Sequence, residues 1–144
     1  MLNVFLVDDD EDDRLFFQEA IEEVNVDVTL SLYNNGQDVM DYLYKSDSTL
    51  PELIFLDLNM PIKNGMECLR EIKTNPRLKN IIVAIYSTSS SEEDIERTFI
   101  NGANIYINKP TNFAALKNAI AKVVKLNWQY HTSNLNRETF LYRI

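Results

Sequence analysis

The sequence contains a single cysteine, Cys68, among its 144 residues. One thiol cannot form an internal disulfide, and it cannot build a metal cluster of several cysteines. The sequence therefore excludes a disulfide framework and favours a protein of the reducing cytoplasm. We expect Cys68 to pack on a helix face and the single histidine, His131, to be a solvated residue of the C-terminal tail.

Long apolar runs are also lacking. No run approaches the roughly 20 residues that are needed to cross a bilayer. The N-terminal stretch "MLNVFLV" is too short for a signal peptide and has neither a basic flank nor a small-residue cleavage site. We predict that it forms the first strand of a sheet, and no membrane association is expected.

Basic residues are outnumbered, with 14 lysines and arginines against 22 acidic residues and a net charge of −8. This balance argues against general nucleic-acid binding and against docking on acidic lipid. The length and an apolar fraction of 45% predict one globular domain with a sizeable core.

Five short apolar runs alternate with segments of helical periodicity. In the first helical segment Phe17, Ala20, Ile21 and Val24 share one face. The alternation predicts an α/β fold, a five-stranded parallel sheet with helices on both faces. We expect the smaller doubly wound strand order, 2-1-3-4-5, for this sheet. The predicted strands are 2–7, 26–32, 52–56, 81–86 and 104–108.

Turn signals and the tail complete the predicted organisation. Asn34-Asn35-Gly36 precedes the second helix, and Asn75-Pro76 and Asn101-Gly102 end the third and the fourth.

We predict a domain over residues 1–127 and a C-terminal extension over residues 128–144. The extension has no further strand–helix unit, but its aromatic residues are too many for a plain disordered end. We expect it to pack on the domain or on a second copy of the chain.

Acidic residues follow two strands that should be neighbours. The first strand runs into the acidic segment 8–13, and the third ends at Asp57. In this strand order, ligands bind between strands one and three at their carboxyl ends. Two carboxylates about 4 Å apart repel by about 4 kcal/mol at a surface-like dielectric, so such a cluster takes up protons or binds a cation. Hard oxygen ligands with open positions suit Mg²⁺ and a phosphoryl ligand.

Each feature alone also has an ordinary explanation. The acidic segment can open a helix, Asp57 can cap the next element, and Lys109 after the fifth strand can be a surface charge. Ser87 ends the fourth strand, within a serine-rich run that can cap the following helix. Their convergence on one sheet edge favours a site, in which Lys109 can counter a phosphoryl group.

Four motifs in this order, "VDDD", "FLDLNMPIKNG", "YSTSSSEEDI" and "GANIYINKP", resemble the receiver domain of two-component response regulators. The resemblance covers about residues 2 to 127 and implies a flavodoxin-like fold. It implies that Asp57 accepts a phosphoryl group from a kinase phosphohistidine. Asp8 and Asp9 would hold Mg²⁺ together with Asp57 and the backbone carbonyl of Asn59, and Lys109 would pair with the phosphoryl group. No organic cofactor is implied.

The resemblance also implies a switch. Ser87 would hydrogen-bond the phosphoryl group, and Tyr106 would be an aromatic rotamer switch that reshapes the surface of the fourth helix, fifth strand and fifth helix. A cis bond is implied between Lys109 and Pro110. The serine-rich run and the tail resemble stand-alone regulators that partner phytochrome-type histidine kinases, whose tails support homodimers.

Other classes fit less well. A haloacid-dehalogenase-type phosphatase needs Asp-x-Asp after its first strand, and Asn59 cannot act as the second acid here. A flavin domain needs a phosphate-cradling loop where residues 8–13 would repel it, and a degenerate receiver should lack Asp9, Asp57 or Lys109. Residues 128–144 cannot hold a DNA-binding or enzymatic domain. We therefore expect the output to be a protein contact or onward phosphotransfer to a histidine carrier.

Overall fold

Strands and helices alternate along the chain in the computed structural model, which describes residues 2–125 and 140–142. The elements are β1 Leu2–Val7, α1 Glu11–Glu23, β2 Val28–Tyr33, α2 Gly36–Leu43, β3 Leu53–Leu56, α3 Gly65–Thr74, β4 Ile82–Ser87, α4 Glu92–Ile100, β5 Ile105–Asn108, α5 Phe113–Lys125 and β6 Leu141–Tyr142. Each predicted strand is present with ends within two residues of the prediction. No helix in the described ranges is long and apolar enough to cross a membrane.

The strands form one parallel sheet in the order β2-β1-β3-β4-β5-β6. The predicted order 2-1-3-4-5 is confirmed, and β6 is added at the β5 edge. Its two residues pair with Tyr106 and Ile107. A strand of two residues is too short to show an alternating pattern, which is why the sequence did not predict it.

The sheet is apolar on both faces because each face is covered by helices. Along β1, Val4 and Leu6 lie in the core shared with α1 and α5, whereas Phe5 and Val7 lie in the core on the opposite face. This alternation follows from side chains that point to opposite faces along a strand. Cys68 is buried in the second core, as expected, and His131 lies outside the described residues.

The predicted turns coincide with helix ends. The Asn35 side chain accepts a hydrogen bond from the backbone N–H of Asp38 at 2.8 Å and so caps α2. Asn75 is the C-cap of α3, and Gly102 follows α4 in the left-handed region at φ +94°.

One implied feature is wrong. The structure has no cis peptide bond in its described ranges, so the bond from Lys109 to Pro110 is trans. The trans form is the favoured one for X–Pro by about 0.5–1 kcal/mol. With this trans bond, the Lys109 backbone N–H donates to the Ser87 carbonyl at 2.8 Å and holds Lys109 at the carboxyl end of the sheet.

Candidate functional site

The ends of β1 and β3 bring two carboxylates together. The parallel ladder continues past both strands, because the backbone N–H of Asp57 donates to the Val7 carbonyl at 3.0 Å and that of Asp8 donates to the Tyr33 carbonyl at 3.1 Å. Asp8 and Asp57 are both buried, whereas Asp9 is exposed. The crevice expected from topology therefore exists and is acidic.

The acidic segment 8–13 has two structural roles. Asp10 is the N-cap of α1, and its side chain accepts from the backbone N–H of Asp13 at 3.0 Å. Glu11, Asp12 and Asp13 form the first helical turn, where the helix dipole favours negative charge. The helix-opening explanation is thus correct for residues 10–13, while Asp8 and Asp9 face the crevice.

Three carboxylates are close enough to bind one cation. One ligand oxygen each from Asp8, Asp9 and Asp57 lies within 4.8 Å of the others. The donor set is made only of hard oxygens, and Asp9 lies on the solvent side, which leaves room for water or a phosphoryl oxygen. These residues fit a divalent cation such as Mg²⁺ or Mn²⁺.

Lys109 bridges the acids. Its Nζ lies 2.8 Å from Asp8 Oδ2, 2.9 Å from Asp13 Oδ2 and 3.4 Å from Asp57 Oδ2, and 5.2 Å from the centre of the Tyr86 ring. Sequence reasoning missed Asp13. No local signal singles out Asp13, because it is one of several acids in a turn that also suits a helix start.

Burial changes how these groups titrate. It raises the pKa of Asp57 to about 6; the Lys109 charge opposes this shift and the Asp8 charge adds to it. Burial likewise raises the pKa of Asp8, against the hydrogen bond from Lys109. Burial works to lower the pKa of Lys109, but its hydrogen bonds to Asp8 and Asp13 outweigh this and raise it. The crevice thus holds the positively charged Lys109 beside Asp57, whose pKa of about 6 is well above its usual value.

Ser87 and Tyr106 are linked through the loop that follows β4. The Ser87 Oγ accepts from the backbone N–H of Ser89 at 3.1 Å, and the Tyr106 hydroxyl donates to the Ser89 carbonyl at 2.7 Å. The Ser89 side chain in turn donates to Asp94 at 2.7 Å. Both Ser87 and the Tyr106 ring are fully buried, so a shift at Ser87 must be felt by the loop that holds Tyr106.

Phe140 closes the far side of the Tyr106 ring. The centre of its ring lies 6.2 Å from that of Tyr106 and 5.3 Å from that of Phe99, and Phe140 is fully buried. The C-terminal segment therefore contacts the same tyrosine that hydrogen-bonds the β4–α4 loop.

The loop after β3 is shaped by a close backbone approach. The backbone N–H of Asn59 lies 3.4 Å from Asp57 Oδ1, and the N–H of Gly65 donates to the Leu58 carbonyl at 2.9 Å. A Cβ at Gly65 would lie 2.0 Å from the Asp57 carbonyl oxygen and 2.8 Å from Leu58 Cα. Only glycine fits here, because both obstacles are backbone.

We expect Gly65→Ala to destabilise the protein by about 1–3 kcal/mol and to weaken divalent-cation binding, because the clash must displace the backbone of Asp57. Urea unfolding and a Mg²⁺ titration of the same variant measure the two effects. Gly102→Ala is the matched control, since an alanine would be strained at φ +94° there but would adjoin Lys73 and not the crevice. It should lose stability and keep its cation affinity. Equal cation affinity in both variants would contradict the prediction.

A doubly wound parallel sheet with a lysine-bridged acidic crevice at its switch point is the architecture of a receiver domain. The response regulator receiver domain family matches residues 4–121, and the chain belongs to this family. It is a receiver domain of two-component signalling, which confirms the family and the function class predicted from the four motifs.

Individual relatives support this assignment. The response regulator Rcp1 of Synechocystis sp. is 36% identical over 117 residues, which span 78% of this chain and 80% of Rcp1. The probable methanogenesis regulatory protein FilR2 of Methanothrix harundinacea is 30% identical over 130 residues, or 87% of this chain and 84% of that protein.

Two solved structures are similar in fold. The Mn²⁺-bound form of Rcp1 has a TM-score of 0.79 at 32% identity, and the match covers 89% of this chain and 94% of the Rcp1 chain. The phosphorylated cyanobacterial phytochrome response regulator RcpA has a TM-score of 0.78 at 33% identity, and the match covers 94% of this chain and 96% of the RcpA chain.

Proposed function

We propose that the protein accepts a phosphoryl group on Asp57 from the phosphohistidine of a sensor histidine kinase, in a Mg²⁺-dependent reaction. The observation that carries the proposal is the position of Asp57: it is buried at the carboxyl edge of the sheet, beside two further acids and within reach of a lysine. The Mn²⁺-bound Rcp1 and the phosphorylated RcpA show that similar chains bind a divalent cation and carry a phosphoryl group.

The chemistry follows from the residues of the crevice. A carboxylate oxygen of Asp57 attacks phosphorus, the phosphorus–nitrogen bond to the kinase imidazole breaks, and an acyl phosphate forms. Phosphoryl transfer requires mainly positioning and charge neutralisation, which Lys109 supplies as a fixed ammonium and Ser87 as a hydroxyl donor. Mg²⁺, when held by Asp8, Asp9, Asp57 and the Asn59 carbonyl, would neutralise phosphoryl oxygens. The domain would thereby promote its own phosphorylation and dephosphorylation.

The added phosphoryl charge would be read by the switch. Ser87 would turn its hydroxyl to a phosphoryl oxygen. It would draw the β4–α4 loop with it, because Ser89 is hydrogen-bonded to both Ser87 and Tyr106. The Tyr106 ring would then change its packing on the surface of α4, β5 and α5. That surface would deliver the signal to a downstream protein, with onward phosphotransfer to a histidine carrier as the second candidate.

We further propose that the cognate kinase is of the phytochrome type and that the protein is cytoplasmic. Support for the kinase class comes from the similarity to RcpA, a cyanobacterial phytochrome response regulator. We further propose that the extension over residues 128–144 packs on its own domain, supported by the burial of Phe140. A homodimer through the same extension is the alternative.

Mass spectrometry tests the phosphoryl acceptor. Incubation with Mg²⁺ and acetyl phosphate, or with a phosphorylated kinase, should add one phosphoryl group that is lost on hydrolysis of the acyl phosphate. Asp57→Asn and chelation by EDTA should each abolish the gain, whereas Asp47→Asn, an exposed acid after α2, should retain it. A gain that persists in Asp57→Asn, or is never seen in the wild type, would disprove the assignment.

A further inference from the structure

Asp13 is an acidic partner of Lys109 that the proposed phosphotransfer does not use. It lies in the first turn of α1, and its carboxylate is 2.9 Å from the Lys109 ammonium. The Asp13 side chain is 40% exposed and that of Lys109 is 9% exposed, so the pair lies at the mouth of the crevice.

The three carboxylates share the ammonium unequally. A lysine ammonium has three protons to donate. Two of its contacts, to Asp8 and Asp13, are short at 2.8 and 2.9 Å, whereas the contact to Asp57 is 3.4 Å. The charge is thus drawn away from the residue that we propose as the phosphoryl acceptor and towards α1.

Asp13 differs from Asp8 in what else it can bind. Asp8 belongs with Asp9 and Asp57 to the group whose oxygens lie within 4.8 Å of one another, and Asp13 is not part of that group. A cation in the crevice would therefore occupy the oxygens of Asp8 and Asp57 and leave Asp13 as a carboxylate competitor for Lys109. A phosphoryl oxygen on Asp57 would have to draw the ammonium away from Asp13.

We propose that Asp13 is a positioning residue that restrains the Lys109 ammonium away from Asp57 until a phosphoryl group forms there. This role rests on the proposed phosphorylation of Asp57. In the resting state the restraint keeps the ammonium 3.4 Å from Asp57, farther than from Asp8 and Asp13, so the Asp57 oxygens are less tightly engaged when a cation and the incoming phosphorus approach. In the phosphorylated state it limits how firmly Lys109 holds the phosphoryl group.

The restraint makes opposite predictions for two ligands. In Asp13→Asn the ammonium moves towards Asp57 and Asp8, where it pairs better with a phosphoryl oxygen and competes with a cation for the same carboxylates. Affinity for a phosphoryl mimic should therefore rise and Mg²⁺ affinity should fall. A half-exposed ion pair of this kind changes an equilibrium by roughly threefold to fivefold.

The experiment measures both affinities on the full chain by isothermal titration, with Mg²⁺ alone and then with beryllofluoride at saturating Mg²⁺. Asp12→Asn is the matched control, because it removes the same charge from the adjacent exposed residue of the same turn. Asp13→Glu retains a carboxylate and should return both affinities towards those of the wild type. The rate of phosphate loss after labelling with acetyl phosphate should be about threefold to fivefold slower in Asp13→Asn.

Mimic binding in Asp13→Asn that equals that of Asp12→Asn would overturn the proposal, since only net charge would then matter. Weaker mimic binding would also overturn it, because Asp13 would then assist Lys109. If wild-type protein with Mg²⁺ binds no mimic at all, the phosphorylation of Asp57 itself fails, and this outcome is distinct from the other two.

Discussion

Asp57→Asn should stabilise the metal-free protein at neutral pH by about 1–3 kcal/mol, although it destroys the proposed phosphoryl acceptor. The reason is electrostatic: Asp57 is buried beside the buried carboxylate of Asp8. Lys109 Nζ, at 3.4 Å from Asp57, offsets only part of this cost, because burial still raises the pKa of Asp57 to about 6. An amide of the same shape removes the charge and keeps the packing.

The same group sets the direction of a pH dependence. Between its usual pKa of 3.8 and the folded value of about 6, the folded chain binds a proton at Asp57 that the unfolded chain does not. The contribution of Asp57 to stability therefore falls as pH rises through this window and stays low above it. The advantage of Asp57→Asn over the wild type should shrink as the pH is lowered from 7 to 5.

Urea unfolding in EDTA at pH 5, 6, 7 and 8 measures both effects, with Asp47→Asn as the exposed-acid control. Millimolar Mg²⁺ at pH 7 should narrow the difference, because a cation stabilises the wild-type crevice with its three carboxylates more than the variant crevice with two. A stability difference that is constant across pH, or that Mg²⁺ leaves unchanged, would contradict this explanation.

The sequence was sufficient to predict the crevice because its determinants are local. Apolar runs of four to six residues, bounded by turn residues, define strands that are buried on both faces. Once the strands are parallel and β1 lies beside β3, Asp8 and Asp57 meet at the carboxyl edge, whatever the details of the loops. Ser87 and Lys109 follow from the same rule applied to β4 and β5.

Other features depend on contacts that the sequence does not encode locally. Asp13 belongs to an acidic turn that also suits a helix start, and only the position of Lys109 shows which acid it meets. The Lys109–Pro110 peptide is trans, contrary to the implied cis bond, and this agrees with the general preference of X–Pro bonds. β6 contains two residues, and its partner strand is more than 30 residues away along the chain.

A large loss of stability is expected when the buried ring of Phe140 is removed. Phe140→Ala should lower the free energy of unfolding by about 3 kcal/mol, since removal of this fully buried ring leaves a cavity between Phe99 and Tyr106. Tyr106 should also lose its fixed packing, because the cavity frees one side of its ring. Tyr106→Phe should then cost less in the Phe140→Ala background than alone, and a double-mutant cycle in urea would measure that coupling.

Ile100→Ala is the control for this variant. Ile100 lies at the end of α4 and is 70% exposed, so its loss should change stability by less than about 0.5 kcal/mol.

The proposed packing of the extension on its own domain requires the cost of Phe140→Ala to be independent of protein concentration. If Phe140 instead inserts into a second copy, wild-type stability will rise with concentration and the variant will lose that dependence, because association is then part of folding. A cost near zero at every concentration would mean that Phe140 contributes nothing to the core around Tyr106, and the coupling of the extension to the switch would be rejected.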